Sequence, residues 1–413
     1  MLILAAVLAM FVYGMTAATL GTILPDLSVR FHLTPKQNGA IAFSQALGLI
    51  LASIGVGLLI DYEGKKAGLV LGLVLTALAV LLLPRSTGFR SIASHLLLLG
   101  TGGGIIVTAA NALGSDFDPA HRGTALNLLN IFFGLGGFAT PFVTANLLGG
   151  STARLCHLIA LLACAALAVN LAAPIPPLTA AQGFVFSDIG GVLGSPVLWL
   201  CALLLFLYVA CEVGVWNWLV QHLIAQGVPQ GRALQVLSFG FALGLLLGRL
   251  AASRILISVP GLTVTLSASA LMAIMTFAML QTRNPTVAWI FTFLAGASMA
   301  PVFPTTIALI GDLFPRLIGT AIGIAITSSW IGLAVSSRVI GSLAGGGDSA
   351  AGGDSAAGGG SAAAGGSAAP GGSAVPSSSA APGARLKKAL LVLPGMSVLM
   401  IGVNLALRAV TGR

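Results

Sequence analysis

Apolar runs long enough to cross a lipid bilayer recur along almost the whole of this sequence, and they constrain its fold more than any other feature. A spanning helix needs about 20 mainly apolar residues, and the opening stretch MLILAAVLAMFVYGMTAATLGTIL already supplies one. Hydrophobic residues make up 57% of the chain and charged ones only 7%, whereas a soluble domain carries roughly 25% charged residues. No water-soluble core could hide that much apolar surface. Inside a bilayer the backbone polar groups must be satisfied within the protein, which leaves helices or closed barrels. Barrel strands alternate over about 10 residues, whereas these runs are longer, Gly-rich and non-alternating, so the chain is predicted to be an all-α membrane protein. The first run lacks the basic leader and small-residue cleavage site of a secretory signal and is read as the first membrane helix.

The formal charge of +9 comes from Lys and Arg scattered singly over many loops. Such charges suit helix ends near lipid headgroups and form no stripe for a nucleic acid, so no nucleic-acid partner is expected. Cys156, Cys164, Cys201 and Cys211 all fall inside predicted helices without metal or disulfide spacing and read as small core residues.

Counting apolar runs predicts helices at 2–24, 39–60, 67–84, 92–115, 124–147 and 154–172, then 197–219, 234–256, 261–280, 286–310, 318–340 and 386–408. The pause between the sixes is rich in Pro and Gly, so the expected organisation is a six-helix bundle over 1–172, a cytoplasmic linker over 173–196 that could carry a short interfacial helix, and a second bundle over 197–413. The stretch 344–384 is Gly, Ala, Ser and Pro with two Asp, a composition expected to give a disordered loop between the last two helices. Shifting the chain by 196 residues lays ALGSDFDPAHRGTA (112–125) over ALIGDLFPRLIGTA (308–321) and ALGLIL (46–51) over ALGLLL (242–247). One ungapped offset serving two places implies two duplicated, pseudo-symmetric six-helix bundles with a site between them.

Charged residues at the helix ends point to a gate. Asp61 stands near helix termini, where a carboxylate can accept backbone N–H bonds, and Lys65 and Lys66 lie at the membrane face. Asp116 with Arg122, and Asp312 with Arg316, occupy corresponding turns of the two halves and are expected to pair, holding one conformation of a rocking protein.

For the site itself, Glu212 is the one carboxylate lying well inside a predicted span, and ionisable groups at that depth are by default functional. Tyr208, Trp216 and Asn217, at minus four, plus four and plus five, place rings and an amide beside it on one helical face. Rings that stack on sugar faces beside hydroxyl-binding carboxyl and amide groups suit a polyol. Asn111, Asn127, Asn130 and Gln45 are further candidates to line the cavity, each with the purely structural alternative of a hydrogen bond between helices. The Gly-rich strings at 100–106 and 134–138 lie inside apolar helices with no strand before them, so they read as close helix packing and not as nucleotide loops. No catalytic set, P-loop or metal-ligand cluster is present in the sequence, so an enzyme, a cofactor and a metal site are not expected.

GLLIDYEGKK at 57–66 resembles the loop signature of the major facilitators, and the helix containing Tyr208-Val209-Ala210-Cys211-Glu212-Val213 and Trp216 resembles the fucose/glucose-galactose sugar porter branch. FVYG at 11–14, TAAN at 108–111, the 126–141 segment and PVFPT at 301–305 extend that similarity over most of the chain. The resemblance implies the twelve-helix fold of that superfamily, secondary active or facilitative transport of a sugar by alternating access, and a proton or sodium ion as possible partner. The fucose type uses an acid in helix one and another just before TAAN. The matching positions here are Gly21 and Val107, which leaves Glu212 as the candidate for coupling. A monomer in a bacterial inner membrane with both termini cytoplasmic is expected, although Lys and Arg divide eight against eleven over the two faces and give the orientation no support. The alternative functions are an exporter of amphipathic or drug-like compounds on the same fold, which predicts an apolar and aromatic cavity, and a membrane receptor or assembly factor.

Overall fold

The computed structural model describes residues 1–175, 186–282, 284–345 and 382–412. Among them are twelve helices long and apolar enough to span a membrane. We label them α1 (Leu2–Leu24), α2 (Gln37–Glu63), α3 (Lys65–Arg85), α4 (Phe89–Gly114), α5 (Arg122–Asn146), α6 (Thr152–Ala172), α7 (Pro196–Ala225), α8 (Arg232–Ile255), α9 (Gly261–Gln281), α10 (Thr286–Leu313), α11 (Ile318–Ile340) and α12 (Ala384–Thr411). α8 contains a π-helical stretch, Val236–Ala242, α3 ends in a 3-10 turn at Leu83–Arg85, and the α-helical hydrogen bonding of α10 and α12 is interrupted at Ala300–Pro301 and at Leu391. Most of the 344–384 loop and residues 176–185 of the linker lie outside the described residues. A short helix, Phe186–Leu193, leads into α7.

Local chemistry sets the helix ends. Thr34 forms a reciprocal capping box with Gln37 ahead of α2. Asn284 accepts from the backbone N–H groups of Thr286 and Val287 at the start of α10. Between α2 and α3 the chain turns at Gly64 with φ +95°, a conformation that a side chain would strain, and its N–H closes α2 on the Ile60 carbonyl.

Helices in lipid gain little from burying apolar surface against each other, so close packing of small residues has to hold them. The duplication appears at that level of detail. A Cβ on Gly48 of α2 would stand 2.2 Å from the Leu97 carbonyl oxygen of α4, and one on Gly244 of α8 would stand 2.2 Å from the Phe293 carbonyl of α10. Gly100 against Gln45 and Gly296 against Phe241 repeat the relation in reverse. Each partner in the second half is 196 residues on from its counterpart. Thr140 of α5 donates to the Met15 carbonyl of α1, and Ser336 of α11, 196 residues on, donates to the Ala210 carbonyl of α7, one residue before the counterpart of Met15. The two halves therefore share one packing plan. They meet where α2 packs on α11 and where α5 packs on α8 and α10.

Candidate functional site: a cavity between the halves

Between the halves lies a cavity of about 340 Å³ whose lining comes from α1, α4, α5, α7, α8, α10 and α11. On α7, Tyr208, Glu212 and Trp216 reach it at successive i, i+4 steps, so the helix presents one continuous face. Asn130 and Phe133 enter from α5, Ser238 and Arg249 from α8, and Trp330 from α11. Tyr13 stacks on Phe133 with ring centroids 5.0 Å apart, Phe303 lies 6.5 Å from Tyr208, and Trp216 meets Phe241 edge to face at 5.2 Å. The wall is thus mainly aromatic and aliphatic, with Glu212 and Arg249 the two formal charges on it. The π-helical stretch of α8 contributes Ser238, Phe239 and Ala242, a local widening of the kind often found at functional positions.

The other expected lining residues are placed elsewhere. Asn111 is fully buried; its amide donates to the Val107 carbonyl at 2.8 Å, and its side-chain oxygen accepts from Asn130. Asn127 donates to the Gly123 carbonyl at 2.8 Å and to Thr305 across the halves at 3.4 Å. Both amides are therefore used within and between helices. Asn217 is half-buried and outside the cavity lining. Gln45 lines a separate pocket of about 30 Å³ between α1, α2, α4 and α11, with its side-chain oxygen unpartnered. Val107, where the fucose type carries an acid, does face the main cavity, with an apolar side chain.

Sequence reasoning missed Arg249, assigning it to the membrane face. It is 6% exposed, and its Nη1 donates to the Asn130 carbonyl of α5 at 2.9 Å while its Nε has no partner. The available signal was its depth: residue 249 lies about two turns inside the helix predicted at 234–256.

The halves are tied together on the face that carries the 57–66 loop. Asp61, 5% exposed, accepts from the backbone N–H of Gly319 at 2.8 Å and of Thr320 at 2.7 Å, capping the start of α11 from α2. Behind this cap, a Cβ on Gly57 would stand 2.6 Å from the Gly319 carbonyl and one on Gly323 2.4 Å from the Ser53 carbonyl, so these two helices touch backbone to backbone. The pseudo-equivalent seam is built differently. Ile257 stands where the repeat would put an acid, and there Thr124 donates to the Ser253 carbonyl at 2.9 Å while Gly123 packs on Leu256. The charge pairs also differ from the expected ones. Asp116 takes Lys65 from α3, and Asp312 takes Arg122 from the opposite half. Spacing had matched each acid with the basic residue of its own turn, but the start of α3 brings Lys65 to Asp116, and the start of α5 brings Arg122 across the halves to Asp312 at the end of α10. Lys66 donates to the Leu171 and Ala173 carbonyls at the end of α6, and Arg316 is exposed in the α10–α11 turn.

Over residues 6–337 the sequence matches the profile of the Major Facilitator Superfamily. The chain belongs to that superfamily. Its fold resembles that of FucP, the E. coli fucose:proton symporter, in the outward conformation, with a TM-score of 0.77 at 17% identity over 98% of this chain and 97% of that one. Among curated proteins it is 28% identical over 149 residues to the 4-hydroxybenzoate transporter PcaK of Pseudomonas aeruginosa, which is 36% of this chain and 33% of that protein. It is 29% identical over 140 residues to sodium-dependent glucose transporter 1 of Rattus norvegicus, 34% of this chain and 29% of that protein. The matched stretches thus span about a third of the length of those curated relatives. As a member of the Major Facilitator Superfamily the chain is a multi-pass membrane protein, and its fold resembles that of FucP.

Proposed function

We propose that this superfamily member moves a small, largely apolar organic solute through the central cavity by alternating access, with bundles 1–172 and 197–413 rocking about it. The observation that carries the reading is the wall of the cavity. Rings and aliphatic chains dominate, with a single amide, Asn130, and a single aliphatic hydroxyl, Ser238. A polyol needs many hydrogen-bonding groups to replace its water, because polar groups desolvated without partners cost about 1–3 kcal/mol each, so this wall supports an amphipathic solute better than a sugar. The similarity to a 4-hydroxybenzoate transporter, named for an aromatic acid, supports it.

A second reading keeps the sugar. Glu212 between the rings of Tyr208 and Trp216, with Asn130 opposite, is a combination that binds hydroxylated rings, and the fucose and glucose transporters are among the similar proteins. The joined 57–66 face corresponds to a state closed toward the cytoplasm, if both termini lie there. The bilayer is then a bacterial inner membrane, and the protein acts as a monomer.

Counterflow in proteoliposomes separates the readings. Labelled aromatic and aliphatic acids, their neutral counterparts, D-glucose and L-fucose are exchanged against unlabelled solute. Exchange of the amphipathic compounds, inhibited in Trp216→Ala, is expected; exchange confined to the sugars refutes the first reading in favour of the second.

A further inference from the structure

The cavity holds two opposite charges and a set of unused hydrogen-bond donors. A guanidinium carries five N–H donors, and in Arg249 the Asn130 carbonyl takes one while Nε has no partner. The indole N–H of Trp330 on α11 is likewise buried, unpartnered and on the same wall, and the hydroxyl of Tyr208 on α7 stands there within reach of Glu212 and Arg249. Unfilled donors at membrane depth, one of them on a cation, are costly to leave empty. Their arrangement is that of a receptor for an acceptor group carrying negative charge. Glu212 is the carboxylate on that wall. Tyr208 lies against both Glu212 and Arg249, and the ion pairs among the described residues do not include one between these two charges.

Resting on the reading of this cavity as the solute path, we propose that the solute is a monocarboxylate which travels with one proton: its acid group takes Arg249, Tyr208 and Trp330, and Glu212 takes the proton. The charge balance requires the pairing. With both side chains ionised, Glu212 at −1 and Arg249 at +1, the charges of the empty wall sum to zero. Adding a carboxylate brings the site to −1, and an uncompensated charge in a poorly solvated cavity costs several kcal/mol. A proton taken by Glu212 from the water on the open side returns the sum to zero. On the other side the carboxylate leaves Arg249 and the proton leaves Glu212 for water, so a cycle moves one anion and one proton and no net charge. Besides these two groups, the ionisable side chains on the wall are the phenols of Tyr13 and Tyr208. Next to Glu212 on α7, the Cys211 thiol faces Ser397 of α12, and Ser336 of α11 donates to Ala210. None of these groups carries charge near neutral pH, which leaves the Glu212 carboxylate as the proposed proton acceptor on this wall.

Binding to the protein in nanodiscs tests this, with the fluorescence of the cavity tryptophans as the signal. Benzoate, 4-hydroxybenzoate and hexanoate are compared with their amides, and proton uptake is read with an indicator dye in weak buffer. At least one acid is expected to bind about tenfold or more tightly than its amide, with about one proton taken up per solute. Arg249→Gln is expected to erase the preference for acid over amide, Arg249→Lys to retain part of it, and Glu212→Gln to bind the acid without taking up a proton. In proteoliposomes, uptake of the preferred acid should follow an imposed pH gradient and ignore a valinomycin-clamped potential. No preference for acid over amide, acid binding without proton uptake, or a net current during uptake overturns the proposal. Exchange of neutral solutes alone overturns it while leaving the cavity as the path. Counterflow that is indifferent to substitutions along the cavity wall refutes the path reading itself.

Discussion

Replacing Asp61 by alanine removes the carboxylate that α2 offers to the start of α11, and the structure fixes what is lost. Two backbone N–H groups, of Gly319 and Thr320, donate to it at 2.8 and 2.7 Å, and the carboxylate is 5% exposed. Hydrogen bonds to a charged group contribute about 1.5–3 kcal/mol each, and a buried donor left without a partner carries most of that cost. The N-terminal end of a helix also favours negative charge. The two bonds share one carboxylate and will not add fully, so about 2–4 kcal/mol is a reasonable range. That cost falls on the state in which α2 and α11 touch and is absent from one in which they part, so the equilibrium should move about 30- to 1,000-fold toward opening of this face. The assay is labelling of Ser53→Cys, a fully buried position against Gly323, by an impermeant maleimide supplied from the side of the 57–66 loop. Cys164 is exposed and is replaced by serine, while the other three cysteines are buried. Asp61→Ala should label at least tenfold faster than its parent, with Asp61→Asn between them. An unchanged labelling rate in a variant that keeps the parental Tm would refute the argument that this cap holds the face closed.

Other perturbations test the same geometry. Gly323→Leu places side-chain atoms where the Ser53 carbonyl stands 2.4 Å from the position of a Cβ; it should leave the 57–66 face unable to close, so that counterflow falls below detection while the folded protein can still be purified. Gly100→Ala and Gly296→Ala meet backbone at 2.0 and 2.3 Å in equivalent places. Each should destabilise by about 1–3 kcal/mol, read as similar decreases in Tm; a large loss in one and none in the other argues against equivalent packing. Arg122→Ala breaks a pair whose Asp312 is 39% exposed, and exposed pairs contribute about 0–1 kcal/mol. Its Tm should scarcely move, and a fall of many degrees would contradict the solvent-screened view of that contact.

Much of the fold was legible because, in lipid, helix length and composition are local properties. The run predicted at 92–115 is helix Phe89–Gly114, and the one at 154–172 is Thr152–Ala172. The glycine of the loop signature was legible for a similar reason, since a break between two helices at Gly64 needs its positive φ. The site was legible in part. Tyr208, Glu212 and Trp216 follow from helical spacing and do share one wall of the cavity. Asn111 and Asn127 could not be separated from Asn130 in that way. All three amides donate to the carbonyl one turn back, at Val107, Gly123 and Leu126, and it is the packing of the helices that puts Asn130 on the cavity wall.

By itself the sequence determined that this chain crosses a membrane twelve times and is built from two copies of one plan, because apolar run length and internal repetition are written along the chain. Tertiary structure alone decided that Arg249 faces Glu212 across a cavity, that Asp61 caps a helix of the other half, and which acid pairs with which base. The cap and the charge pairs join residues separated by 51 to 259 positions, and Glu212 and Arg249 stand 37 apart, so their partners are chosen by how the helices pack, and no local spacing records that choice.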